Sequence, residues 1–280
     1  MMRTLLAAVM LSVALLGATG CQHAPITNRA QFIVLDQAQE ASLGAKAYQE
    51  VLAKYKESGD SATTTVLLRV GRRIAGQANR PEYQWEFKLL ESEEANAFCL
   101  PGGKVAVYTG ILPFCHDEAG LAAVMAHEVA HAMARHGAER MSHGLVLELV
   151  AQGILTGTGR LSPAAQAGIM QAYGVATSVG AELPFSRQME SEADRIGIEL
   201  MSRAGYVPTA SVELWERMSA AQKTRPPNFL STHPAPENRI ESLQNVMPEM
   251  MTLYRQIPDP IGQGVVLPAV ERLIPPKPAI

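Results

Sequence analysis

His127, Glu128 and His131 lie in the middle of AVMAHEVAHAMARH, residues 123–136, a stretch that is otherwise apolar as far as Ala134. Because His127 and His131 are four residues apart, a helix places them on one face, one turn apart. Burying three ionisable groups is costly unless something binds them. A zinc ion fits this pair, and Glu128 beside the first ligand can act as a general base on a water at the metal. The stretch therefore predicts a core helix, from about Asp117 to about His136, that carries a metal site.

A second pair of acidic residues offers the missing ligand. A catalytic zinc takes three protein ligands and keeps one position open. The segment ESEAD, residues 190–194, places Glu190 and Asp194 one helical turn apart. One carboxylate can bind the metal while the other accepts the ring N–H of a ligand histidine. Each motif alone also fits a structural interpretation, as core histidines or as an acidic helix surface; the two together favour zinc.

Four segments occur in an order that resembles metallopeptidase family 48, the gluzincin zinc endopeptidases of the HtpX and Oma type. They are EANAFCLPGGKVAVYTGIL, AAVMAHEVAHAMARHGAER, ESEADRIGIELMSRAGY and LSTHPAPENRI. The resemblance covers roughly residues 40–245, and Cys99 departs from the small residue expected after NAF. It implies an α+β fold, mainly α, of the zincin-like metallopeptidase kind, with a small β-sheet beside the metal-binding helix.

The resemblance also implies roles for residues of the metal site. One zinc ion per chain would be bound by three ligands: His127, His131 and Glu190. Glu128 would be the general base, and Asp194 would orient a ligand histidine.

Three further residues receive roles only from the resemblance. His233, in STHP, would approach the scissile carbonyl, and Arg239, in ENRI, would lie near the active site, where both could stabilise the oxyanion. Asn96 would lie where the edge strand of the family passes the cleft, so that its backbone could pair with an extended substrate.

The N-terminus predicts a lipoprotein leader over residues 1–20. A positive charge precedes the apolar run LLAAVMLSVALLGA, which is too short to span a bilayer comfortably. The run leads into GATGC, which resembles a bacterial lipobox ending at Cys21, with Ala18 where leucine is more usual. Cys21 would carry the lipid, residues 21–35 would link it to the domain, and Gln22 favours the periplasmic side of the outer membrane. An ordinary secretory signal with an incidental cysteine is the alternative.

The remaining patterns predict a metallopeptidase domain at residues 36–256 and an extended or loosely packed Pro-rich tail at 257–280. Strands are expected around a Pro-Gly-Gly turn, and two helices broken near 157–162 are expected in the Gly- and Ala-rich region 144–181. The other expected helices are 36–57, 62–79, 186–204, 208–222 and 236–253. Cys99 and Cys115 fit either a disulfide or two free buried thiols. Four histidines are interpreted as surface or helix-end residues: His23, His116, His136 and His143.

These features predict a zinc endopeptidase of the bacterial envelope that cleaves unfolded or misassembled proteins, with the outer-membrane assembly machinery as a further partner. One alternative is a chaperone or assembly factor for outer-membrane proteins, with a latent or rarely used site. Another is a closed protease that a partner opens. The net charge of -3 and the pI near 6.2 argue against nucleic acid as a partner.

Overall fold

The computed structural model describes residues 21–152, 186–221, 227–234, 238–261 and 264–272. The predicted leader and the predicted helix break near 157–162 lie outside these residues.

A three-stranded sheet stands beside the metal-binding helix. Its strands are β3 (Glu86–Leu90), β4 (Ala97–Leu100) and β5 (Lys104–Tyr108), in the spatial order β3-β5-β4. β3 runs parallel to β5, and β4 runs antiparallel to it across a turn in which Gly102 and Gly103 have φ values of 82° and 86°. Such positive φ values favour glycine, which explains the Pro-Gly-Gly sequence. The sheet confirms the prediction and leaves β4 at an edge.

Helices form most of the domain, and every helix predicted within the described residues is present. They are α1 (Gln37–Lys54), α2 (Ser61–Gln77), α3 (Leu112–Cys115), α4 (Glu118–Met133), α5 (His136–Gln152), α6 (Arg187–Arg203), α7 (Thr209–Ala221), α8 (Phe229–Thr232), α9 (Arg239–Arg255) and α10 (Pro268–Glu271). N-cap side chains accept a backbone N–H at four of them: Asp36, Asp60, Asp117 and Ser186. None of the described helices has the length and hydropathy needed to cross a bilayer.

Helix α4 lies at the centre of the core, and every one of its residues is buried. It packs against α2, α6, α7 and β4. Its closest approach to α6 is at Gly197, where an added Cβ would lie 3.1 Å from both the Cα and the N of His127. The helix ends three residues earlier than the predicted end at His136, because Arg135 adopts a φ of 53° and turns the chain into α5.

The N-terminal segment differs from the predicted linker over residues 21–35. β1 (Cys21–His23) and β2 (Ala30–Phe32) form an antiparallel pair, which we call the N-terminal hairpin. Arg29 of this hairpin forms ion pairs with Glu139 at 2.6 Å and Glu192 at 2.7 Å. These contacts join the hairpin to α5 and α6, so the described part of this segment packs against the domain.

The described part of the C-terminal tail also differs from the expectation of loose packing. Val266 pairs with Asp117, and the backbone N–H of Leu267 donates to the carbonyl of His116 at 3.1 Å. Leu267 and Val270 are buried in the core. Their apolar side chains explain why the segment folds back onto the start of α4.

Cys99 and Cys115 are both free and buried, which decides between the two alternatives left open by the sequence. Burial raises the pKa of the Cys115 thiol to about 12 and the pKa of the Cys99 thiol well above its usual value. Both side chains are therefore neutral packing groups at physiological pH.

Replacing Gly197 by alanine tests the contact between α4 and α6. The new Cβ would force the helices apart, and overpacking of this kind costs about 1–3 kcal/mol. The preference of a helix for alanine over glycine offsets about 0.5–1 kcal/mol of this cost. We expect urea unfolding to show a net loss of about 1–2 kcal/mol in the free energy of unfolding.

The matched control is Gly76→Ala, at an exposed position in α2 where an added Cβ has no neighbour within 4 Å. This variant should be as stable as the wild type or slightly more stable. Equal changes in stability for the two variants would contradict the proposed role of Gly197.

Candidate metal centre

Four side chains converge on one point with atoms that can bind a metal ion. His127 and His131 come from α4, Glu190 from the first turn of α6, and His233 from the residue after α8, and their ligand atoms lie within 4.8 Å of one another. The Nε2 atoms of the two α4 histidines are 3.1 Å apart. The Glu190 carboxylate oxygens lie 3.4 Å and 3.3 Å from the Nε2 atoms of His127 and His131. All four side chains are buried.

This donor set fits zinc. Imidazole nitrogens with a carboxylate oxygen are typical zinc ligands, and the spacing leaves room for the ion between them. The general base predicted at Glu128 is buried beside the same point. Its Oε1 atom has no hydrogen-bond partner among the described residues, and His233 Nε2 lies 3.4 Å from it. An unsatisfied acceptor at this position is what a base awaiting a water molecule requires.

Behind the ligands, two carboxylates share one arginine. Asp194 Oδ1 lies 3.0 Å from His127 Nδ1, within reach for orienting this ligand, although the ring N–H is not aligned for a hydrogen bond. Arg239 donates from Nε to Asp194 and from Nη2 to Glu190, both at 2.6 Å, and its guanidinium lies 3.8 Å from the ring centroid of Trp215. Arg239 therefore lies close to the centre, where its Nε and Nη2 atoms contact carboxylates and its Nη1 atom has no hydrogen-bond partner among the described residues.

The buried charges set opposite protonation preferences for the two α4 histidines before metal binds. Burial lowers the pKa of His127, but the Asp194 and Glu190 carboxylates outweigh it and raise this pKa to about 9. Burial dominates at His131 and lowers its pKa well below the usual value. Although burial acts to raise the pKa of Glu190, the neighbouring His233 and His131 hold it well below its normal range. Metal binding must therefore displace a proton from His127.

Strand β4 fixes the base and borders the cleft. The backbone N–H of Cys99 hydrogen-bonds to the Glu128 carboxylate, while burial raises the pKa of that carboxyl. The carbonyl of Asn96 accepts the Tyr108 N–H of β5 at 3.0 Å, so it faces into the sheet. The Asn96 side chain accepts the N–H of Ala97 at 2.9 Å. Asn96 thus lies at the cleft as predicted, but the outward backbone groups belong to Ala97 and Cys99.

The structure brings two residues to the site to which the sequence interpretation gave no role there, His136 and Glu192. His136 is fully buried rather than at the surface; its Nδ1 atom lies 2.9 Å from His131 Nδ1, and its Nε2 atom lies 2.9 Å from Glu192 Oε2. Burial lowers the pKa of His136 despite this carboxylate. The available signals were the histidine five residues after His131 and the central glutamate of ESEAD. The other three histidines of that group, His23, His116 and His143, are exposed as predicted.

The fold and the site define a zinc metallopeptidase of the zincin type. The match to a family model is consistent with this: the model of peptidase family M48 matches residues 61–247. The chain belongs to this family, and it is a metalloendopeptidase.

Named relatives agree with this assignment. The chain is 38% identical over 239 residues to the mitochondrial metalloendopeptidase OMA1 of Schizosaccharomyces pombe, covering 82% of this chain and 68% of that protein. It is 31% identical over 258 residues to the same-named protein of Saccharomyces cerevisiae, covering 85% and 72%. It is 30% identical over 227 residues to the beta-barrel assembly-enhancing protease of Escherichia coli, covering 78% of this chain but only 46% of that protein.

Replacing Arg239 by leucine tests the shared arginine. The variant leaves Glu190 and Asp194 without their buried cation, and breaking a buried ion pair costs about 3–5 kcal/mol. We expect the metal-free protein to lose this much unfolding free energy in urea. Lysine at this position should recover only part of it, because one ammonium group cannot reproduce the two-pronged contact.

Arg195→Leu is the matched control, because Arg195, on α6, also pairs with a carboxylate but is partly exposed, and its partner Glu249, at 3.0 Å, is exposed. Its loss should be at most about 1 kcal/mol. A similar loss in both variants would show that the contacts of Arg239 are no stronger than a surface pair.

Proposed function

We propose that this chain is a lipid-anchored zinc endopeptidase of the bacterial cell envelope that hydrolyses peptide bonds in unfolded or misassembled envelope proteins. The observation that carries the proposal is the position of Glu128, buried beside four convergent metal-binding atoms. A structural metal site has no need of an adjacent base, so this arrangement favours hydrolysis over a purely structural zinc.

The residues would divide the chemistry as follows. His127, His131 and Glu190 would hold the zinc, which when bound supplies a Lewis acid that polarises a peptide carbonyl and makes water more acidic. Glu128 takes a proton from the attacking water and returns it to the leaving amine. Because burial raises its pKa, this carboxyl is better matched to proton transfer near neutral pH. His233, whose Nε2 atom lies 3.4 Å from Glu128 Oε1, would donate to the oxyanion.

Arg239 would support this chemistry indirectly. Its Nε and Nη2 atoms are engaged by Asp194 and Glu190, so it would hold a ligand and an orienting carboxylate in place, while its buried Nη1 atom has no hydrogen-bond partner among the described residues. We therefore assign it a positioning role through these two contacts, and its Nη1 atom would remain available to the oxyanion.

The edge of strand β4 favours a substrate that binds in an extended conformation. The outward backbone groups of Ala97 and Cys99 lie beside Glu128, where an incoming peptide strand could pair with them. Only a segment free of its own secondary structure can offer its backbone in this way. This requirement favours unfolded or misassembled proteins as the substrate class. The Asn96 side chain covers the Ala97 N–H and the Glu128 carboxylate engages the Cys99 N–H, so a substrate would pair with these two N–H groups only after both contacts are released.

The cellular setting rests on the leader and on one relative. The lipobox-like sequence ending at Cys21 supports export and lipid attachment. The relative from Escherichia coli is named for enhancing beta-barrel assembly, which favours the outer membrane and its assembly machinery as the environment. A chaperone with a rarely used site remains the alternative function, and the Glu128 experiment below separates it from the protease.

A closed site is a second feature of the proposed function. The cavity between β4 and the ligand helix, bordered by Asn96, Glu128 and His233, has a volume of about 30 Å³. This space holds one or two water molecules but no peptide. The backbone N–H of Phe229 donates to the carbonyl of Ala95 at 2.8 Å, which fixes the His233 segment beside the edge strand. We propose that this segment moves before a substrate binds.

Comparing the wild type with Glu128→Gln tests the proposed activity. The glutamine keeps the size of the side chain but cannot accept a proton, so cleavage should fall about 100-fold or more. Both proteins would be brought to equal zinc content and incubated with unfolded casein, and the fragments would be measured over time.

Equal cleavage by both proteins would contradict Glu128 as the base. Cleavage by neither protein, with zinc retained, would favour the closed protease or the chaperone over a constitutively active enzyme.

Replacing Cys21 by serine tests the lipid anchor. The wild type, expressed with its leader in a Gram-negative host, should incorporate labelled palmitate and fractionate with the outer membrane, because acyl chains anchor a protein without a spanning helix. Cys21→Ser should incorporate no label. Cys115→Ala, which removes a buried thiol, should be labelled like the wild type. A wild type that carries no label would support the ordinary secretory signal.

A further inference from the structure

A continuous line of polar contacts connects the N-terminal hairpin to a zinc ligand. His131 Nδ1 lies 2.9 Å from His136 Nδ1 on the side of the ring away from the metal centre. His136 Nε2 lies 2.9 Å from Glu192 Oε2, and the same oxygen accepts from Arg29 Nε at 2.7 Å. The line passes through three elements of the fold: α4 with the ligand, the start of α5, and α6. It ends on the hairpin.

The proton positions along this line follow from the metal. His131 must leave Nε2 unprotonated to bind zinc, so a neutral ring carries its proton on Nδ1. That N–H can donate only if His136 presents an unprotonated Nδ1. His136 then carries its proton on Nε2 and donates it to Glu192, whose carboxylate only accepts. Each nitrogen has a single role, and the roles are mutually consistent.

We propose that His136 is a positioning residue for the zinc ligand His131, and that Arg29 of the N-terminal hairpin completes the support by holding Glu192. His136 is not itself a ligand, because it contacts the ring nitrogen of His131 that faces away from the metal centre. The proposal depends on His131 binding zinc and is independent of the substrate and of the membrane anchor.

The two ligand histidines of α4 are thus supported differently. His127 faces the Asp194 carboxylate directly at 3.0 Å. His131 faces the neutral imidazole of His136. The nearest carboxylate on this side, that of Glu192, contacts His136 and does not contact His131 directly. The centre already contains two carboxylates paired with Arg239, so a third beside His131 would add an uncompensated negative charge. An imidazole between His131 and Glu192 fixes the ring without bringing that charge to the metal.

Glu192 is held firmly enough for this role. Its carboxylate also accepts the hydroxyl of Thr27, and Arg29 pairs with Glu139 at 2.6 Å as well as with Glu192. Thr27 and Arg29, these two partners of Glu192, both belong to the N-terminal hairpin, which is far from α6 in the sequence. The hairpin therefore fixes the position of the Glu192 carboxylate. At the other end of the line of contacts, His136 fixes the orientation of the His131 ring.

Two substitutions of similar size separate positioning from packing. His136→Gln keeps an acceptor and a donor, whereas His136→Leu fills the space and removes both. Loss of a partner that orients a ligand typically weakens metal affinity about 10–100-fold. We expect this weakening for His136→Leu, with an altered visible spectrum of the cobalt-substituted protein, and values near those of the wild type for His136→Gln. Zinc affinity would be measured by competition with a chromophoric chelator, and His143→Leu on the same helix is the control.

Wild-type zinc affinity and an unchanged cobalt spectrum in His136→Leu would overturn the proposal, as would an equal defect in the glutamine variant. If His136→Leu does not fold, Arg29→Met provides the second test, because it frees Glu192 without touching either histidine. A several-fold weaker zinc affinity in Arg29→Met supports the line of contacts, and an unchanged affinity overturns it. Since all readouts concern metal binding, they remain valid even if the casein experiment fails.

Discussion

The metal centre depends on how closely helices α4 and α6 approach each other. Gly197 lets the backbone of α6 lie against the backbone of His127, where even a methyl group would be too close. Asp194 and Glu190 stand about one and two turns before this glycine, so they reach the histidines from the same face. The close approach of the α4 and α6 backbones therefore brings the carboxylates within reach of the imidazoles.

The charges of the site are balanced by residues from distant parts of the chain. Buried carboxylates are tolerated only when a cation or several donors compensate them. Arg239 supplies the cation for Glu190 and Asp194 from α9, and Arg29 does the same for Glu192 from the N-terminal hairpin. The ligand helices alone would not form a stable site, because they bring together more negative charge than they can neutralise.

Features of the site that depend on local spacing could be predicted from the sequence. His127, Glu128 and His131 are placed by the helical repeat, and so are Glu190 and Asp194. The sheet beside the helix followed from its Pro-Gly-Gly turn.

Features that depend on a change of chain direction could not be predicted. His136 faces the back of His131 only because Arg135 adopts a positive φ and ends α4, and no periodic pattern reports such a reversal. The contacts of Arg29 and Arg239 join residues more than 40 positions apart. Charge alone shows that each needs a partner but does not say which one.

The use of distant residues also determines when the site can exist during synthesis. The histidine pair leaves the ribosome before Glu190, and Glu190 leaves before Arg239. A chain that has reached only α5 therefore carries two ligands with no carboxylate to complete them. Because metal binding is coupled to folding, the site has its ligands and its balancing cation only after residue 239 has emerged. Until then the unfinished chain lacks the complete set of groups needed to hydrolyse a peptide.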